Sequence, residues 1–136
     1  MLGDHLVFPI LLSTDLAKSR EFYHDTLGLH ILRQDEERII FRSGSGSQLA
    51  VTLSTTGTSD TQTQLAWRVP DLLAELADLR ARGVRIEAYD APDPKTDADG
   101  VADMGFAWAA WIIDPSGNAL GIIQPKGVPA DPARVT

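Results

Sequence analysis

Three histidines, an aspartate-rich stretch and a few strand-borne aromatic and polar residues are the groups in this chain that could do chemistry. His5, His24 and His30 share no ligand spacing: His5 has strand parity opposite to Phe8, His24 falls on a helix, and His30 opens a strand. Ordinary surface or packing roles are expected for all three. Asp90, Asp93, Asp97, Asp99 and Asp103 crowd one loop, but they lack the regular ligand spacing and terminal Glu of a calcium loop and read as solvated loop residues. No Ser-His-Asp set, carboxylate pair or phosphate-cradling glycine loop stands out. What remains is the chemistry of binding. Trp67, Trp108, Trp111 and Phe8 offer aromatic faces, and Gln64 and Arg68 offer polar groups that could orient a ligand.

The elements that would carry these residues occur twice. Phe8-Pro-Ile-Leu-Leu-Ser-Thr-Asp15-Leu16 and Gln64-Leu-Ala-Trp-Arg-Val-Pro-Asp71-Leu72 each run an apolar strand into an Asp-Leu helix start. The first unit reads as a strand at 5–12, a helix at 15–26 ended by Gly28, a hairpin of 29–34 and 38–43, and a strand at 48–54. A Thr/Ser/Gly linker at 55–61 follows. The second unit reads as a strand at 63–69, a helix at 71–82 ended by Gly83, a short strand at 84–89, and a hairpin of 106–113 and 119–124 around Asp114-Pro-Ser-Gly-Asn118. Residues 90–105 form a long polar loop of the kind that serves as a lid, and 126–136 a frayed tail. The expected architecture is α+β, βαβββ twice, in a single domain covering 1–136, with a first module at about 5–54 and a second at about 63–125.

Composition bounds the function. The chain has 136 residues, 19 acidic and 12 basic, a net charge of −7 and no cysteine. Disulfides, thiolate metal sites and a Cys nucleophile are excluded. No basic run interrupts the acidic background, so nucleic acid is not expected as a partner. The charge serves solubility and would secondarily favour a cationic ligand. No apolar run is long enough to cross a bilayer, and Met1-Leu-Gly-Asp4-His5 lacks a signal peptide's basic region, so no membrane partner and a cytoplasmic location are expected.

Three stretches, Asp15-Leu-Ala-Lys-Ser-Arg-Glu-Phe-Tyr23-His-Asp-Thr-Leu-Gly28-Leu, Val69-Pro-Asp71-Leu and Trp111-Ile-Ile-Asp114-Pro-Ser-Gly-Asn118, resemble the vicinal oxygen chelate superfamily of glyoxalases, extradiol dioxygenases and fosfomycin- and bleomycin-resistance proteins. The resemblance implies two βαβββ modules forming a half-open, cleft-enclosing barrel, and a homodimer. In the catalytic members, four cavity-facing positions hold a divalent metal. Counting seven residues back from each helix-start Asp places Phe8 and Gln64 at two of them. Seven beyond Asp114 lies Gly121, and aligning Gln48-Leu-Ala-Val with Ala119-Leu-Gly-Ile makes Ala50 its counterpart. Only Gln64 has a ligating atom, whereas a transition-metal site needs three or four donors. No metal and no cofactor are therefore expected, and enzymatic activity stays open.

Alternation puts Leu6, Phe8, Ile10 and Leu12 on one cavity face and Gln64, Ala66 and Arg68 on the other. A five-residue turn at 114–118 sets Trp111 opposite Gly121, whereas a register shifted by one residue would turn Trp108 to that face instead. Trp67 is expected beneath the second helix and Tyr23 in the core. The expected function is metal-independent binding of a small organic molecule, an antibiotic or aromatic metabolite, by Phe8, Gln64, Arg68, Trp111 and the space over Gly121. The alternatives are a diverged metal-dependent lyase, isomerase or dioxygenase with a shifted metal site, and a structural or regulatory module with a filled cavity.

Overall fold

A computed structural model describes residues 1–55, 62–90 and 94–127. The linker expected at 55–61, apart from Thr55, and the tail beyond Gly127 lie outside the described residues. After a short 3₁₀ turn at Leu2–Asp4, the chain forms β1 (Ile10–Ser13), α1 (Leu16–Arg20) continued by a π-helical segment (Glu21–Thr26), β2 (His30–Gln34), β3 (Arg38–Ser43) and β4 (Ser47–Leu53). The order then recurs as β5 (Thr63–Arg68), α2 (Leu72–Ala81), β6 (Ala102–Asp103), β7 (Ala107–Ile113) and β8 (Ala119–Pro125). The fold is α+β, with two four-stranded mixed sheets ordered β1-β4-β3-β2 and β5-β8-β7-β6. Two compact units result. The first comprises Met1–Gln64 with Asp114–Asn118, and the second Leu65–Ile113 with Ala119–Thr136.

Both helices start as the repeated Asp-Leu dipeptide implies. Asp15 accepts a side-chain hydrogen bond from the Lys18 amide and Asp71 one from the Ala74 amide, each 3.1 Å, satisfying donors that the first helical turn leaves free. In the first unit, β1 pairs parallel with β4 (Leu11 beside Val51) and β3 antiparallel with β4 (Ile39 beside Val51, Phe41 beside Leu49). These five side chains are buried with Tyr23, whose ring lies 5.6 Å from that of Phe41. The opposite parity carries Ile10, Leu12, Ile40 and Ala50; Ile10 is 58% and Leu12 36% exposed, whereas Ala50 on the inner strand β4 is buried. The sheet thus has a covered face and an open one. In the second unit Leu72, Leu76 and Leu79 of α2 are buried, as are Ala110, Ile112, Leu120 and Ile122 of β7 and β8.

Two expected strands differ. β1 starts at Ile10, not residue 5, so Leu6 and Phe8 precede it. The Ala50 amide donates to the Pro9 carbonyl; the next rung of the same ladder would need an N–H from Pro9, which proline lacks. Residues 84–89 form no strand. The Glu87 amide donates to the Trp111 carbonyl at the β7 edge, while Ala102 and Asp103 pair with Ala109 and Trp108 further along it. The expected polar loop therefore contributes an edge strand of its own. Gly100 permits this packing: its φ is +87°, and a Cβ there would lie 2.6 Å from Ile86 Cγ2. The tail also begins later than expected, since Lys126 is tied to Asp103 and lies over the Trp108 ring.

Candidate functional site

The register of β7 and β8 decides which tryptophan faces the glycine. Trp111 is the direct partner of Gly121, and Trp108 that of Gln124. Gln124 Oε1 accepts the Leu72 amide at the start of α2, 2.7 Å away, so Gln124 and its partner Trp108 belong to the helix-side parity. Trp111, three residues on, points to the other face. There Gly121, buried and without a side chain, lies opposite the indole, and Tyr89 meets Trp111 edge to face with ring centroids 5.7 Å apart. On β5, Gln64, Ala66 and Arg68 are exposed, while Leu65 and Trp67 between them are partly buried. The alternation expected for that strand therefore holds, and Trp67 is on its less exposed side.

Of the expected site residues, the structure brings Trp111 and Gly121 together in the second sheet, with Arg68 on the β5 strand of that sheet. Phe8 lies before β1 and is 56% exposed, so strand alternation does not orient it; Ile10 and Leu12 take the open-face positions. Ala50 is the register partner of Ile10. Gln64 is the second residue of β5, and its amide donates to the Gln62 carbonyl at 3.3 Å.

The superfamily's divalent metal can be tested against these donors. Phe8, Ala50 and Gly121 supply none, Gln64 supplies one amide oxygen, and no group of three His, Asp or Glu side chains able to hold a metal occurs among the described residues. The donor set does not fit. The acidic loop is likewise occupied with its own turns. Asp97 Oδ1 accepts the amides of Asp99 and Val101, and Asp103 Oδ1 accepts the Gly105 amide and the Lys126 ammonium. The Lys126 contact, followed by the Gly105 amide, holds the Asp103 carboxyl below its ordinary value.

The motif residues Asp114 and Asn118 have a structural task that sequence reading missed. Asp114 is 4% exposed and accepts four hydrogen bonds: the Tyr23 hydroxyl (2.7 Å) and Asn118 Nδ2 (2.8 Å) on Oδ2, and the amides of Ser116 and Asn118 (both 2.9 Å) on Oδ1. Asn118 Nδ2 also donates to the Leu12 carbonyl. Tyr23 is fully buried, and burial, then the adjacent Asp114 charge and its hydrogen bond, raise the phenol far above its ordinary value. The hydroxyl thus stays a donor to the Asp114 carboxyl. The available signal was a tyrosine on a buried helix face and an Asp-Pro-Ser-Gly-Asn turn, but nothing local links positions 91 residues apart.

A model of the Glyoxalase/Bleomycin resistance protein/Dioxygenase superfamily matches residues 4–122. The chain belongs to this superfamily. A glyoxalase family protein from Enterococcus faecalis is similar in structure, with a TM-score of 0.68 and 18% identity over 90% of this chain and 99% of the other. TnmS3, an antibiotic binding protein from Streptomyces sp. CB03234, gives 0.65 and 22% over 90% and 98%. A bleomycin-binding protein complexed with bleomycin gives 0.65 and 21% over 90% and 99%. Among curated proteins none matches. At such identities the solved structures establish the shared fold, and proteins of this fold include an antibiotic binder and a bleomycin binder.

Proposed function

We propose that this superfamily member binds a small organic molecule, an aromatic metabolite or an antibiotic, without using a metal. The observation that carries the reading is the pairing of Trp111 with Gly121. At the position where the family resemblance places a ligating Glu, this chain has Gly121 paired with the Trp111 indole, whose face suits a flat apolar surface. Arg68, on β5 of the same sheet, supplies polar orientation, and Phe8 and Gln64 of the first unit offer an aromatic and an amide group. Antibiotic- and bleomycin-binding proteins of the same fold support a binding role. The proposal treats 1–136 as one functional domain that works as a homodimer in the cytoplasm. Sedimentation of the purified protein tests the dimer, and a monomer at micromolar concentration would exclude it.

The deciding test measures divalent-metal content and binding of tag-free protein, wild type and Gln64→Ala, beside tryptophan quenching by aromatic ligands in wild type and Trp111→Ala. No metal, with quenching that Trp111→Ala abolishes, is the expected result. Stoichiometric metal lost on Gln64→Ala would overturn the metal-independent reading and turn attention to enzyme assays.

A further inference from the structure

The acidic character of this chain stops at its strands. Of 19 acidic residues only Asp103, in the two-residue β6, lies in a described strand. The other charged strand residues are all arginine: Arg33, Arg38, Arg42 and Arg68. Three of these belong to the first sheet, where register places them on its open face. Arg42 stands between His30 and Gln48 in one row, Arg33 beside Ile40 and Ala50 in the next, and Arg38 beside Thr52 in a third. No basic run exists in the sequence because the hairpin, not adjacency, gathers these residues.

Their own partners do not account for them. Among the described residues neither Arg33 nor Arg42 has a carboxylate at ion-pair distance, and Arg38 has only the exposed Glu37 at 3.9 Å. Asp35, in the same hairpin turn, spends one carboxylate oxygen on the amides of Glu37 and Arg38. Arg33, Arg38 and Ile40 line a small hollow of about 160 Å³ together with Asp35. Arg42 is partly buried, and its Nε is shielded from solvent without a hydrogen-bond partner. An unmet guanidinium donor in a sheltered position is a standing cost that an oxygen acceptor would relieve.

From this arrangement of Arg33, Arg38 and Arg42 around Ile40 and Ala50, we infer that the open face of the first sheet receives an organic oxyanion, a carboxylate or phosphate carried on an apolar body. The inference rests on the small-molecule reading above and replaces the cationic ligand that net charge suggested. Asp35 and Glu37 are nearby acids; remote ones act weakly beyond about 8 Å at physiological salt, whereas a planar guanidinium binds an oxyanion at contact.

Four naphthalene derivatives that differ only in the head group provide the test: naphthoate, naphthyl phosphate, naphthylmethanol and naphthylmethylammonium, titrated calorimetrically against the full chain. At least one anion is expected to bind about tenfold or more tighter than the alcohol and the ammonium, the difference of one charged hydrogen bond. The two anions against each other separate carboxylate from phosphate recognition. Arg42→Gln should remove the anion's advantage and leave alcohol binding unchanged. Should Arg42→Gln fail to fold, the exposed Arg38→Gln carries the same prediction with a smaller loss. Equal affinity for all four probes, or preference for the ammonium, overturns the oxyanion inference while leaving small-molecule binding intact. Binding of none of the four overturns both.

Discussion

Replacing Tyr23 by Phe deletes one oxygen from the core and tests the buried network that holds the Asp114 turn. The hydroxyl lies 2.7 Å from Asp114 Oδ2, Tyr23 has no exposed surface and Asp114 only 4%. A hydrogen bond to a charged group is worth about 1.5–3 kcal/mol. Asp114 would keep three donors, Asn118 Nδ2 and the amides of Ser116 and Asn118, so the larger penalty of an uncompensated buried charge is avoided. A loss of about 2 kcal/mol is expected for Tyr23→Phe. Urea unfolding at neutral pH measures it, with the denaturant dependence unchanged. In an Asp114→Asn background the acceptor is neutral, and the same change should cost about 1 kcal/mol. The network also has a pH signature. Because the folded phenol is raised above its ordinary value of 10.0, the unfolded chain releases its proton first. The stabilisation is complete below pH 10 and declines above it, by about 1.4 kcal/mol per pH unit, in wild type but not in Tyr23→Phe. A change below about 0.5 kcal/mol, equal costs in both backgrounds, or identical alkaline limbs would refute the account.

Two further perturbations test the positioning elements. Gly100→Ala combines a positive φ of +87° with a 2.6 Å approach to Ile86 Cγ2, and thermal unfolding should show a loss of about 1–3 kcal/mol; an unchanged midpoint would mean that residues 86 and 100 do not pack this way. Asp35 is held below its ordinary carboxyl value by the amides of Glu37 and Arg38. Its contribution should therefore be present above the unfolded value and be lost as pH falls through the depressed folded one. Asp35→Asn should flatten the acid limb of the stability profile, and a parallel profile would contradict that role.

The fold was legible in the sequence because its signals are local and repeated. Asp15 and Asp71 cap their helices through bonds spanning three residues, and alternation in β5 separates Gln64, Ala66 and Arg68 from Leu65 and Trp67. Even the pairing of Trp111 with Gly121 follows from the length of the intervening turn. Expectations failed where a neighbour decides. An apolar run into Pro9 looks like strand throughout, yet the missing proline N–H ends the ladder at Ile10. Val84–Tyr89 looks like strand by composition, but Ala102 and Asp103 take up part of the β7 edge beside it.

The sequence by itself determined superfamily membership, the two βαβββ units and the scarcity of metal donors at Phe8, Ala50, Gln64 and Gly121, since side-chain chemistry and short-range periodicity suffice for these. Only the tertiary structure decided that Tyr23 serves Asp114, that Trp108 belongs to the helix side, and that Arg33, Arg38 and Arg42 share one face. These depend on register and on contacts between residues distant in the chain. Hydrogen bonding and charge are felt at a few ångströms, a distance that sequence separation does not encode.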